Sequence, residues 1–158
     1  MNPSLVRVHL VTPALDGEMR QPRFGHGGPY GLETGRWAGR TLDEVAAEDP
    51  AAVRSWLTDP AFAPPGGESV EALVARAGSW LAGLEPGTHR VTADQAFARA
   101  AVVAALELPA QAFWRLDVRP DSQTSLTGRS GRWNLLVGQP GAGPGPGPGP
   151  GRDDRQRA

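Results

Sequence analysis

Apolar and polar positions alternate over Leu5–Val11 (LVRVHLV), and the run stops at Thr12-Pro13. This predicts a strand that ends where proline removes a backbone donor. No period follows from Leu15 to Gly35, a glycine-rich stretch with Pro22 and Pro29 that reads as one long loop. Thr41 and Glu44 form a capping-box pattern for a short helix. Asp49-Pro50 supplies an N-cap and a first-turn proline for a second, with Val53, Trp56 and Leu57 at helical spacing. After the break at Ala63–Gly67, Ser69 caps the clearest helix. Val70, Leu73, Val74, Ala77, Trp80, Leu81 and Leu84 form its buried stripe, and Gly83 and Pro86-Gly87 end it. His89–Ala93 predicts a short central strand, with Asp94 as N-cap of the nearly wholly apolar helix Gln95–Leu106. A helical turn running into a strand is expected over Ala112–Val118, and a hairpin over Ser125–Val137 around Gly128–Gly131. Strand, helices, strand, helix and hairpin in this order predict an α/β layered domain.

Composition sharpens the picture at three points. The chain has 158 residues, enough for one domain, and 39% of them are hydrophobic. Glycine and proline are in excess (21 and 16), but the excess gathers between Gly138 and Gly151. A Gly/Pro-rich tail over 138–158 cannot bury enough apolar surface to order itself and is expected to be disordered. With no cysteine, a disulfide framework, a thiolate metal site and a cysteine nucleophile are excluded. The formal charge of -1 lacks the basic excess of a nucleic-acid footprint. No apolar run approaches the ~20 residues of a membrane span, and Met1–Val11 has no signal-peptide pattern. The expectation is a cytoplasmic protein with neither nucleic-acid nor membrane partner.

Four strings carry a resemblance. Gly35-Arg-Trp-Ala-Gly-Arg-Thr-Leu-Asp-Glu-Val45 resembles a G-x-W-x-G stretch leading into a helix. Pro65-Gly-Gly-Glu-Ser69 resembles a loop opening a long helix, and Arg99-Ala-Ala-Val-Val103 the start of an apolar helix. Phe113-Trp-Arg-Leu-Asp-Val118 precedes a closing hairpin that carries Trp133. In this order they are similar to the histidine phosphatase (phosphoglycerate-mutase-like) superfamily, across roughly Leu5–Val137. The resemblance implies a three-layer sheet flanked by helices, with the segment between about 25 and 35 shortened, over a domain of residues 1–137. It also implies phosphomonoester hydrolysis through a phosphohistidine, with no cofactor. A histidine in an R-H-G motif attacks, a second histidine and two arginines hold the phosphate, and an acid protonates the leaving oxygen.

Carried over by position, the R-H-G motif falls on Thr12, Pro13 and Ala14. The second histidine falls on Asp94, and the acid on Gly31 with Glu33 two residues away. Proline offers no nucleophilic nitrogen, and a carboxylate at Asp94 repels a phosphate. The resemblance therefore implies an impaired or inactive site. His26, in a glycine-rich surrounding that echoes R-H-G, is the weak alternative nucleophile, with His9 on the first strand. The competing readings are a flexible-loop histidine, an edge histidine and, for His89, a turn residue. Glu68 is either at the pocket mouth or at a helix start, where a carboxylate suits the dipole. The five tryptophans read as core and loop anchors, and Arg36, Arg40 and Arg99 as solvated surface. The three histidines show no metal-ligand spacing. The functional alternatives are a non-catalytic binding or scaffolding protein with a protein partner, a phosphatase with a relocated nucleophile, or a decaying gene product. A phosphorylated small molecule or other anion is the expected ligand if a pocket survives.

Overall fold

The structure is a computed structural model that describes residues 4–15 and 23–138. Most of the tail and residues 16–22 of the long loop lie outside the described residues. Strand β1 (Val6–Thr12) pairs parallel with β2 (Gly87–Thr92) on one side and antiparallel with β3 (Ser122–Arg129) on the other. Strand β4 (Arg132–Leu136) closes the hairpin, so the four-stranded sheet runs β2-β1-β3-β4. Positive φ at both Ser130 and Gly131 gives the hairpin a two-residue turn whose twist matches the strands. The ring of Trp133 lies over Gly128, where a Cβ would come within 2.6 Å of it.

The helices are α1 (Leu42–Glu48), α2 (Pro50–Thr58), α3 (Val70–Ala82) and α4 (Gln95–Ala105). Each starts where a local side chain accepts a backbone N–H. Thr41 accepts from Glu44, Asp49 from Ala52, Ser69 from Ala72 and Asp94 from Phe97. All four caps were legible in the sequence. Helix α4 packs on the sheet and α3 packs on α4. Between them lies a core containing Val8, Leu10, Leu73, Ala77, Phe97, Val103 and Leu126. Burial alternates along β1. Val6, Val8, Leu10 and Thr12 face this core, while Arg7, His9 and Val11 lie on a second, largely polar face with Arg90, Gln123 and Thr127.

Two elements differ from expectation. Strand β2 is an edge strand and not a central one; among the described residues only β1 pairs with it, and most of it is exposed. His89 belongs to this strand and not to a turn, with Nε2 2.6 Å from the Glu85 carbonyl. The segment expected to be helix then strand is a 3-10 stretch, Ala110–Arg115, with no strand over residues 116–118. The reason lies in α4, whose side chains satisfy the carbonyls a strand partner would have used. Arg99 Nε donates to Leu116 O (2.6 Å) and Gln95 Nε2 to Val118 O (2.6 Å).

Candidate functional site

Parallel pairing of β1 and β2 brings the carboxyl ends of both strands to one edge of the sheet, where α/β folds place their ligand crevices. The pairing continues one step beyond the strands, through Ala93 N to Val11 O (2.9 Å), so Asp94 follows β2 at the same edge as Thr12. A cavity of about 480 Å³ opens there, lined by Thr12–Leu15, Asp94–Ala96 and Arg99 among others. Its walls are mainly apolar, with Phe24, Leu32, Leu42, Trp56, Leu57, Phe113 and Trp114. An aromatic chain builds the wall. The Trp56 and Trp114 rings meet edge-on at 4.5 Å, Phe113 and Trp114 at 4.8 Å, and Phe24 and Trp56 at 5.3 Å.

The sequence positions expected to carry phosphoryl chemistry divide into two groups. Thr12, Pro13 and Asp94 do line the cavity. Gly31, Glu33, Glu68 and His26 do not. Asp94 is committed to structure: Oδ1 accepts from Phe97 N (2.7 Å), Oδ2 from Leu32 N (3.0 Å), and its own N–H donates to Tyr30 O (3.0 Å). Burial pushes its carboxyl above the ordinary aspartate value, against the pull of the Phe97 and Leu32 N–H groups and the Arg76 charge. Gly31 has no room for a side chain. A Cβ there would stand 2.5 Å from Gly27 O and 2.9 Å from Asp94 Oδ2.

Glu68, read as either at the pocket mouth or at a helix start, turns its carboxylate to Arg76 (2.6 Å) and to the N–H of Glu33 (3.1 Å). Arg76 also donates to Pro29 O (2.8 Å) and Gly31 O (2.5 Å), so this pair ties α3 to the loop. Glu33 is exposed, its carboxylate beside Gly27 and Gly35. The loop around His26 is tied down at several points. An isolated bridge joins His26 to Glu33, Thr34 Oγ1 donates to Gly25 O (2.6 Å), and Phe24 N donates to Arg40 O (2.8 Å).

All three histidines of the chain lie within the described residues, and none lines the cavity. His26 is exposed, its ring beside Gly39. His9 sits on the second face of the sheet, with Nδ1 2.8 Å from Ser125 Oγ and 3.1 Å from Gln123 Nε2. His89 lies on the edge strand.

Arg99 departs from the solvated surface role expected of it. It lines the cavity half-buried, its guanidinium 5.8 Å from the Phe113 ring centre and 5.9 Å from that of Trp114. Burial lowers its pKa, with Asp117 and Asp94 acting the other way. The signal was present in the sequence: Arg99 is the one charge inside an otherwise apolar helical run. Arg40 does sit on the surface, paired with Glu48 (2.7 Å). Trp56 and Trp114 are wall residues of the cavity as well as packing residues, a role the helical spacing alone did not reveal.

The sequence matches the profile of the histidine phosphatase superfamily (branch 1) over residues 32–139. The chain belongs to this superfamily. The match begins after β1 and so leaves Thr12 and Pro13 outside it. Among solved structures, the chain is similar to a mycobacterial glucosyl-3-phosphoglycerate phosphatase in complex with VO3. That similarity is 32% identity with a TM-score of 0.59, over 67% of this chain and 57% of the other. A structure titled "Mycobacterial hydrolase 1" gives 28% identity and 0.59 over 69% and 60%. A putative alpha-ribazole-5'-P phosphatase from Escherichia coli, at 22% identity and 0.57 over 67% and 55%, agrees in fold. The chain thus spans under two thirds of the length of these solved relatives. No curated protein sequence matches it significantly.

The family strings explain themselves in the folded chain. Gly35, at φ +56°, lies against Pro65–Gly67 so closely that a Cβ would collide with Pro65 O. A Cβ on Gly67 would stand 2.6 Å from Glu33 O. Arg36 N donates to Pro65 O (2.9 Å) and Glu68 N to Glu33 O (2.8 Å). The G-x-W-x-G and P-G-G-E-S strings are two halves of one backbone-to-backbone junction.

Proposed function

We propose that this chain is a histidine phosphatase family protein that does not form a phosphohistidine and uses the family cavity for binding. The observation that carries this reading is that every histidine of the chain stands off the cavity. Phosphoryl transfer in the family needs an imidazole aimed at the phosphorus, with positive donors around the equatorial oxygens. At the strand end, Pro13 has no nitrogen that can attack. The Thr12 hydroxyl is buried and has no hydrogen-bond partner among the described residues, so none of these is placed as a base to take its proton. Both Asp94 oxygens are already engaged by backbone N–H groups. The mycobacterial phosphatase was solved with VO3 and with inorganic phosphate, so an anion is the natural starting point for a ligand.

The test is hydrolysis of 4-nitrophenyl phosphate, run beside the mycobacterial phosphatase. The expected result is release at the rate of the protein-free control, unchanged in His26→Ala and His9→Ala. Turnover above that background which disappears in either variant would overturn the reading in favour of a relocated nucleophile.

A further inference from the structure

Two buried polar atoms have no hydrogen-bond partner among the described residues, and both belong to residues lining this one cavity. They are the Trp56 indole Nε1 (residue 7% exposed) and the Thr12 hydroxyl (4%). Buried donors left unpaired are costly, and these two loosen the wall of the cavity without facing its open volume, since neither atom is accessible. A donor that the cavity does offer a ligand is Arg99. Its Nε is used on Leu116 O, while its terminal amino groups have no acceptor and no salt-bridge partner among the described residues. The Trp114 ring connects it to Trp56, lying 4.5 Å from Trp56 and 5.9 Å from the Arg99 guanidinium. The rim is of opposite character. Leu15, Leu42 and Leu57, three of the large hydrophobic residues that remain exposed, all border the cavity.

We propose, resting on the binding reading above, that the cavity takes an organic monocarboxylate with an apolar body. Its carboxylate is received by Arg99, and its chain leaves along the leucine rim. The charges favour a monoanion over a phosphate dianion. Arg99 is a lining cation with no salt bridge among the described residues, with the charges of Asp117 and Asp94 acting on it from further off; Arg23 lies 3.8 Å from Glu44, and the Asp94 carboxylate opposes a second negative charge. A volume of about 480 Å³ lies within the range of small-molecule sites, and the apolar walls and rim would be left wetted by inorganic phosphate alone.

The experiment titrates the full chain with decanoate below its micellar concentration, with decanol and with inorganic phosphate. It reads tryptophan emission and the unfolding midpoint. Decanoate is expected to perturb the emission of Trp56 and Trp114 and to raise the midpoint, decanol to bind at least about tenfold more weakly, and phosphate to do neither. Arg99→Gln should weaken decanoate about tenfold and leave decanol unchanged. Leu57→Glu, on an exposed position, should weaken decanoate through the rim without touching the core, and covers the case in which Arg99→Gln fails to fold. The proposal is overturned by no response to decanoate, by equal binding of decanoate and decanol, or by a phosphate response equal to that of decanoate. The aryl phosphate assay is independent of all three. Failure of decanoate without turnover removes this ligand class and leaves the binding reading standing, whereas histidine-dependent turnover removes the reading itself.

Discussion

The junction at Gly35 and Gly67 and the strand ends at Thr12 and Asp94 belong to the same small domain, yet they stand differently to the family strings. At the junction the residues match the family strings, and each has a visible steric or hydrogen-bonding role. Two glycines admit a backbone contact, Glu68 holds Arg76, and Ser69 caps α3. At the strand ends the positions that the sequence resemblance assigns to chemistry carry Pro13 and Asp94, and beside them Gly31. Of these, Asp94 ties the loop to α4, and Gly31 is sealed between Gly27 and Asp94. A fold can be kept by one set of residues while another set is free to change, which is why membership of a superfamily does not carry an activity with it.

Substitutions should divide along the same line. Gly35→Ala is expected to have the largest effect, about 3–4 kcal/mol of destabilisation. It combines a left-handed backbone with a Cβ driven into the Pro65 carbonyl. Chemical denaturation reads this directly, and a loss under about 1 kcal/mol would mean that the junction gives way easily.

Asp94→Ala comes next, at about 2–3 kcal/mol, because it removes the α4 cap and leaves the Leu32 N–H unpaired. If Asp94 were instead a residue kept for ligand chemistry, this variant would hold its stability. The same residue predicts a pH effect. Its folded-state pKa is raised by burial, so the folded chain holds a proton that the unfolded chain has released. Stability contributed by Asp94 is thus highest below the ordinary aspartate value of 3.8 and declines as pH rises through the raised folded value. The unfolding free energy of wild type minus that of Asp94→Asn should fall as pH rises across that window; a rise with pH would reverse the assigned sign.

Arg40→Ala is expected to be the smallest. Its pairs with Glu44 and Glu48 lie on the surface, and the midpoint should stay within measurement error of wild type at moderate salt. A clear drop would show that the surface of α1 contributes more than its solvated ion pairs suggest.

How far each part was legible follows from the range of the interactions. The four helix caps join residues three apart and were all readable from local pattern, as was the Ser130-Gly131 hairpin. The edge position of β2 was not, because an apolar-polar pattern names a strand without saying how many neighbours it has. Nor was the loop clamp, since Asp94 meets Leu32 and Arg76 meets Pro29 across long stretches of chain. The candidate site was half legible. Placing Thr12 and Asp94 at one cavity followed from the family order of strings, whereas Arg99 and Trp56 entered it only when α4, α2 and the 3-10 segment were packed together.

The most direct measurement asks whether a phosphoryl group ever becomes attached to this chain. The protein would be mixed with a labelled aryl phosphate, quenched within a turnover time of the mycobacterial phosphatase, and assayed for acid-labile, base-stable phosphate on the polypeptide. With Pro13 at the strand end and His9, His26 and His89 all away from the cavity, no label should remain. Label approaching one per chain, and absent from a single histidine-to-alanine variant, would contradict the account.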